Sequence, residues 1–237
     1  MEGTHPIGSS EGDRTALIAL YRATDGKNWR TAWDIRGDIS TWHGVTVNGE
    51  GRVVTLHLSK NNLRGVIPSE LGNLGDLRFL FLSNNQLSGH IPPELGKLGA
   101  LRVLWLLSNQ LSGDVIPPEL GSLGAMTYLS LQNNLLSGPV PPELGNLSGL
   151  QELRLSLNRL SGTIPKELGR LTALEQLWLS GNSLTGSIPK ELGNLTALQE
   201  LNLGHNELTG SVPKELGNLY SLKKLKLGGN KLTDELP

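Results

Sequence analysis

Leucine and other apolar residues recur along this chain with a spacing of 24 residues, from Val53 to the end of the sequence. The stretch 150–173 shows the pattern in full, and residues 174–197 repeat it at nearly every apolar, asparagine, glycine and proline position. Eight copies can be aligned, and they begin at Val53, Leu77, Leu101, Met126, Leu150, Leu174, Leu198 and Leu222. A fixed period of this length predicts a solenoid in which each copy forms one turn.

Within one copy, the pattern predicts a strand, a turn and a return segment. In copy six, Leu177 and Leu179 alternate with other residues, which indicates a strand whose leucines face the core. Asn182 follows at the turn, as an asparagine does in every copy, where its side chain can satisfy backbone groups. The return segment, Ile-Pro-Lys-Glu-Leu-Gly at 188–193, predicts one helical turn that begins at proline, carries glutamate near its positive end and closes at glycine.

The residues before the first copy predict a cap on the solenoid. Residues 1–12 are polar and rich in glycine and serine, which predicts a flexible lead, and a helix is expected to begin at 10–13. Residues 13–52 are interpreted as the cap and residues 53–237 as eight repeats of 24 or 25 residues. A cap is needed because the first repeat would otherwise expose its leucine core to water.

Two sequence features indicate how the predicted cap folds. The tryptophans at 29, 33 and 42 are three of the five in the chain, and their clustering predicts a compact apolar plug. Asn48 and Gly49 lie between runs that contain β-branched residues, which predicts a hairpin that joins the cap to the first repeat strand.

Two copies depart from the pattern. The third has one additional residue in the stretch 113–116, which is expected to bulge on the return side without disturbing the inner strand. In the eighth, Asp234 replaces the glycine and the sequence stops at Pro237, which predicts a truncated repeat and a fragment of a longer protein. Lysines in the last copy offer another explanation, because they could keep an uncapped end soluble.

The framework LxxLxLxxNxLxGxIPxELGxLxx, seen in residues 150–173 and in six other full copies, resembles the plant-type leucine-rich repeat. The resemblance implies an α/β fold, a right-handed solenoid with a parallel β-sheet on the concave face and short helical or 3-10 turns on the convex side. It also implies a second short strand near the Gly-x-Ile-Pro segment, and ligands or partner proteins on the inner or lateral surface.

The front end also resembles the N-terminal cap of that family, because Trp42-His43-Gly44-Val45 matches its Trp-x-Gly-Val core. Ser40 and Val47 occupy the positions of two cysteines that usually flank this core, and the chain contains no cysteine. The cysteine-free cap of this chain is similar to the caps of algal and protist repeat proteins. Some of those proteins are attached to kinases or Roco-type GTPases. The missing cysteines and secretion signal favour the cytoplasm, whereas the resemblance leaves an extracellular location open.

Composition and charge argue against several classes of function. Twenty-one basic and 22 acidic residues give a net charge of −1, which removes the usual argument for nucleic acid or an anionic membrane surface. No apolar run approaches the roughly 20 residues that cross a bilayer, so no membrane insertion is expected. The five histidines have no paired metal spacing and no converging nucleophile, and no phosphate loop is present. The sequence predicts a protein that is not an enzyme and has no metal or cofactor.

The register predicts which side chains face the concave surface. One column reads Thr55, Phe79, Val103, Tyr128, Glu152, Gln176, Glu200 and Lys224, and the next reads His57, Phe81, Trp105, Ser130, Arg154, Trp178, Asn202 and Lys226. Five of the six aromatic residues of the repeats fall in these columns, although the leucine core gives no packing reason for it. The candidate ligand-binding residues are Phe79, Phe81, Val103, Trp105 and Tyr128 as one patch, with Arg154 and Trp178 as a secondary contact.

These features favour a recognition module that binds a protein or peptide on its concave face, as part of a receptor or signalling protein. The aromatic residues could instead only shield the inner sheet. A structural element that associates with itself, weakly, through its C-terminal end is a second hypothesis, and carbohydrate binding is a third.

Overall fold

The alternating leucines of each repeat place one short strand per repeat side by side. The computed structural model describes residues 9–233. A nine-stranded sheet has the order β1-β2-β4-β6-β8-β10-β12-β13-β15, in which β1 and β2 are antiparallel and all later neighbours are parallel. Its strands are β1 (Val45–Val47), β2 (Val53–His57), β4 (Phe79–Phe81), β6 (Val103–Trp105), β8 (Tyr128–Ser130), β10 (Glu152–Arg154), β12 (Gln176–Trp178), β13 (Glu200–Asn202) and β15 (Lys224–Lys226).

A second set of short strands follows the turn of each repeat and forms three small lateral sheets, β3-β5-β7, β9-β11 and β14-β16. These strands are β3 (Arg64–Val66), β5 (Gln86–Gly89), β7 (Gln110–Leu111), β9 (Ser137–Pro139), β11 (Arg159–Ser161), β14 (Thr209–Gly210) and β16 (Lys231–Leu232). The return segments are 3-10 helices, at Ser69–Asn73, Pro93–Lys97, Pro118–Ser122, Pro142–Asn146, Lys166–Arg170, Lys190–Asn194 and Lys214–Asn218. The predicted solenoid, with one parallel sheet and short helical turns opposite it, is confirmed.

The core is one continuous column of leucine side chains between the large sheet and the 3-10 helices. Leu153, Leu155 and Leu160 of repeat five are fully buried, as are the equivalent leucines of repeat six. Each fully buried leucine contributes about 1.5–3 kcal/mol relative to an exposed one. Because each repeat covers one side of the next, no single repeat could bury this surface alone.

An asparagine at the turn joins each repeat to its neighbour. The side-chain amide of Asn182 donates to the carbonyl oxygens of Leu179 at 3.0 Å, in its own repeat, and of Leu155 at 3.1 Å, in the previous one. Its side-chain oxygen accepts from the backbone amide of Leu160 at 3.0 Å. The interpretation of the asparagine column as a structural element is therefore confirmed.

The return segment differs in two details from the sequence prediction. Pro189 has an extended backbone, with ψ at 131°, so it precedes the 3-10 helix as its cap and Lys190 is the first helical residue. Gly193 lies inside the helix rather than closing it. A methyl group on Gly193 would overlap the carbonyl oxygen of Glu215 in the next repeat, so glycine is required here for the close approach of two repeats.

The cap begins earlier than expected. The helix α1 spans Ser9–Ala23, so residues 9–12 of the predicted lead are helical, and residues 1–8 lie outside the described part of the chain. Short 3-10 turns follow at Gly26–Asn28 and Ile39–Thr41. Trp29, Trp33 and Trp42 are buried, and the Trp33 ring centroid is 4.8 Å from that of Trp29 and 4.7 Å from that of Trp42. The predicted plug and the hairpin formed by β1 and β2 are both confirmed.

A buried ion pair fastens the helix of the cap to the first repeat. Asp13 is 1% exposed and accepts hydrogen bonds of 3.1 Å from both Nε and Nη2 of Arg52. The same carboxylate accepts a 2.8 Å bond from the backbone amide of Val53, the first residue of β2. The hydrogen bonds to Asp13 raise the pKa of the Arg52 guanidinium above its usual value.

The additional residue of the third repeat leaves the inner sheet intact, as predicted. β6 pairs with β8 in register, with Leu104 opposite Leu129. The change falls on the lateral side, where pairing stops after β7 and resumes at β9. The proposed truncation of the eighth repeat concerns residues 234–237, which lie outside the described residues. Among residues 9–233, no helix is both long and apolar enough to cross a membrane.

We expect Asp13→Ala to lower the free energy of unfolding by about 3 kcal/mol, because it leaves a charged partner and a buried amide unsatisfied. Urea denaturation followed by tryptophan fluorescence measures this effect, since three of the five tryptophans lie in the cap. Asp34→Ala is the control, because the ion pair of Asp34 with Arg36 is largely exposed. Equal midpoints for the two variants would show that the buried pair does not stabilise the cap.

We expect Gly169→Ala to cost about 1–3 kcal/mol, because the methyl group would overlap the carbonyl oxygen of Glu191 and push two repeats apart. Gly217→Ala is a matched control at the same framework position, where no described atom lies within 4 Å of the new methyl group. Thermal unfolding of both variants tests the idea, and an equal shift in Tm would argue against it.

Candidate ligand-binding face

The large sheet aligns the two outward-facing columns that the sequence predicts. Phe79 pairs with Val103, and Val103 pairs with Tyr128, so these residues form one row across the strands. Phe81 pairs with Trp105 in the neighbouring row. Because every parallel step keeps its register, side chains that are 24 or 25 residues apart in sequence lie on adjacent strands, about 4.8 Å apart.

Four side chains on β2, β4 and β6 form an aromatic cluster, which consists of His57, Phe79, Phe81 and Trp105. Phe81 lies at its centre, with ring centroids 5.1 Å from His57 and 5.1 Å from Trp105. The Phe79 ring is 6.3 Å from that of Phe81 and nearly parallel to it. Trp105 lies on the outward face of the sheet, and 39% of its surface is exposed. The sequence prediction omitted His57, whose place in the same column was the available signal.

Two members of the predicted patch play a smaller part. Val103 is only 6% exposed, because its short side chain lies in the row between Phe79 and Tyr128. Val103 therefore offers little surface to a ligand, and its role as a ligand contact stays a prediction. The hydroxyl of Tyr128 donates to the side-chain oxygen of Gln151 at 2.8 Å, which fixes the ring at the edge of the cluster.

Arg154 and Trp178 form a second unit on β10 and β12. The guanidinium carbon of Arg154 lies 4.4 Å from the centre of the Trp178 ring, a cation–π contact. Arg154 also forms an ion pair of 2.9 Å with Glu152 and donates a 2.8 Å hydrogen bond to Gln176. The buried Ser130 occupies the intervening position in the row, so this unit is separate from the aromatic cluster.

The last described strands continue this face with charged groups. Lys224 pairs with Glu200 at 2.9 Å, and this hydrogen bond lowers the pKa of the Glu200 carboxyl below its usual value. The Glu200 carboxyl is therefore ionised at neutral pH. A cavity of about 220 Å³ lies beside it, lined by Trp178, Glu200, Leu201, Asn202, Lys224 and Lys226. The sequence pattern placed these charges in the outward columns but did not predict the cavity.

The polar and ionisable groups of this face contact one another or the aromatic rings. His57 packs against Phe81, and Glu152 and Glu200 are each paired with a basic side chain. Within residues 9–233, no three or more histidine, aspartate or glutamate side chains are grouped so that they could hold a metal ion.

The repeat framework and the parallel sheet identify the family of this chain. A family model described as a leucine-rich repeat region matches residues 50–185 and again residues 102–237. The chain belongs to the leucine-rich repeat family.

Among curated proteins, this chain is similar to a probable leucine-rich repeat receptor-like protein kinase of Arabidopsis thaliana. The two are 39% identical over 70 residues, and the match covers 29% of this chain and 7% of the kinase. Among solved structures, it is similar to the ectodomain of the Arabidopsis receptor kinase GASSHO1/SCHENGEN3, in complex with Casparian strip integrity factor 2. That match has a TM-score of 0.78 and 34% identity, and it covers 93% of this chain and 30% of the other.

A second similar structure is the Arabidopsis receptor kinase HAESA, in complex with the peptide hormone IDA and the co-receptor SERK1. Its TM-score is 0.75 at 33% identity, and the match covers 95% of this chain and 43% of HAESA. The leucine-rich repeat chain thus spans less than half the length of these relatives.

We expect Trp105→Ser to change the free energy of unfolding by less than about 1 kcal/mol, whereas Leu104→Ala, one residue away, should cost about 2–5 kcal/mol. The reason is that Trp105 faces solvent and Leu104 is fully buried. Chemical denaturation of the two variants measures the difference. If Trp105→Ser proved as damaging as Leu104→Ala, the aromatic cluster would be part of the structural core.

Proposed function

We propose that this leucine-rich repeat chain recognises a protein or peptide ligand on its concave face, as part of a receptor or signalling protein. The observation that carries the proposal is the aromatic cluster, which is partly exposed on the large sheet of a solenoid whose core is built from leucine.

Physical considerations support binding over shielding. A Trp105 side chain that is 39% exposed leaves apolar surface in contact with water, which costs free energy unless a partner covers it. Aromatic residues are enriched at protein interfaces and often dominate their energy. The rings of Phe81, Trp105 and His57 also restrict one another, so little side-chain entropy is lost when a ligand binds.

Arg154 and Trp178 provide a secondary contact of different chemistry. The bonds of Arg154 to Glu152 and Gln176 hold the guanidinium over the indole ring, so this polar unit is already ordered. A ligand that crosses β4 to β12 would meet apolar rings first and charged groups next. Such a gradient favours one direction of a bound chain over the other.

The similar structures add support of a general kind. HAESA is bound to a peptide hormone, and GASSHO1/SCHENGEN3 is bound to Casparian strip integrity factor 2. This chain has the same repeat architecture, which supports the choice of a protein or peptide ligand.

The test compares three purified proteins against one displayed library of random peptides. Peptides enriched on the wild-type chain should bind the Phe81→Ser/Trp105→Ser double variant at least about 30-fold more weakly, which is the effect of removing one aromatic contact of about 2 kcal/mol. Tyr220→Ser is the matched control, since Tyr220 is an aromatic residue that is 84% exposed outside the concave columns.

Retained binding by Tyr220→Ser, at an unchanged Tm for all three proteins, supports the proposal. Equal binding by the wild type and the double variant contradicts it. A glycan array, probed with the same proteins, addresses carbohydrate binding, and sedimentation at several concentrations addresses self-association through the C-terminal end. Selective glycan binding that depends on Trp105 would show that the ligand is a carbohydrate rather than a protein or peptide.

A further inference from the structure

The single additional residue of the third repeat creates a cavity on the outer flank, away from the concave face. The cavity is shallow and open to solvent, with a volume of about 350 Å³. Its lining includes His90 and Ile91 of repeat two and Asp114, Val115, Pro118 and Glu119 of repeat three.

The local sequence explains why the cavity occurs here. Repeat two reads Gly89-His90-Ile91-Pro92, whereas repeat three has an additional residue before its isoleucine, at Ile116. Ile116 keeps its place in the core and is fully buried, so the surplus chain is displaced outwards and Val115 is left 52% exposed. The lateral sheet is interrupted between β7 and β9 at the same place.

The cavity is apolar inside and acidic at its edge. Its walls include Ile91 and Pro117, which are both buried. Asp114 and Glu119 are exposed at the edge, and neither forms an ion pair with any residue between 9 and 233. Asp114 accepts one hydrogen bond, of 3.1 Å, from the hydroxyl of Ser137.

The charge of the surrounding flank differs between the two halves of the solenoid. In repeats five to seven, a lysine precedes each glutamate of the return segment, at Lys166, Lys190 and Lys214. In repeats two to four, proline takes that position, at Pro93, Pro118 and Pro142. The glutamates beside the cavity thus lack the neighbouring lysine of the later repeats, although Lys97 and His90 lie in repeat two.

We propose that this cavity is a second binding site, which accepts a peptide segment with one apolar side chain flanked by lysine or arginine. The apolar side chain would displace water from Ile91, Val115 and Pro118, which is favourable in proportion to the area covered. The flanking cations would meet Asp114 and Glu119 at the edge, so complementary charge selects a basic segment over an acidic one. This site does not depend on the concave face.

The test uses three amidated pentapeptides and NMR titration of the full isotope-labelled chain. One has phenylalanine between two pairs of lysines, one has phenylalanine between pairs of glutamates, and one has serine between pairs of lysines. The first should shift the amide signals of His90 and residues 113–119 and bind at least about ten-fold more tightly than the other two.

Deletion of Val115 restores the 24-residue spacing and should weaken binding of the first peptide at least about ten-fold. Glu119→Lys leaves the chain length unchanged, so it tests the site even if the deletion impairs folding, and it should weaken binding at least about three-fold. Trp105→Ser should bind as the wild type does, which separates this site from the concave one. Shifts confined to another surface, equal binding of the glutamate peptide, or full binding by Glu119→Lys would overturn the proposal.

Discussion

The close contact between one repeat and the next is the interaction on which this structure depends. An asparagine such as Asn182 bonds to the backbone of its own repeat and of the previous one, while glycines such as Gly193 allow the return segments to approach. Both devices act between neighbours, so stability accumulates along the chain rather than around one centre. The cap follows the same rule, because Asp13 bonds to the first residue of the first repeat strand.

This arrangement separates residues that build the scaffold from residues that are free to vary. Leucine, asparagine, proline and glycine occupy the structural positions, whereas most outward positions of the inner strands are at least partly exposed. The aromatic cluster and the Arg154–Trp178 unit occupy such positions. Their side chains contact one another, so the surface that we propose for binding is already ordered without a partner.

Much of the fold could be predicted from the sequence, because periodic patterns report periodic structure. The spacing located the strands, and their register placed Phe81 beside Trp105. Other features depend on distances that a pattern does not contain. The burial of Val103 follows from the length of its side chain relative to its neighbours, and the role of Gly193 follows from the approach of another repeat. The hydrogen bond from Tyr128 to Gln151 could not be predicted either, because neither residue type at its position indicates the other as a partner.

The extra residue of repeat three has a consequence for any ligand that lies along the chain. A surface of near-identical units offers a bound partner several equivalent alignments, each displaced by one strand spacing of about 4.8 Å. Repeat three alone carries an additional residue, and Val115 is exposed there, so this repeat differs from its neighbours and breaks that translational symmetry. A partner that contacts the irregular repeat is therefore held in one alignment, which determines the repeats that its other residues contact.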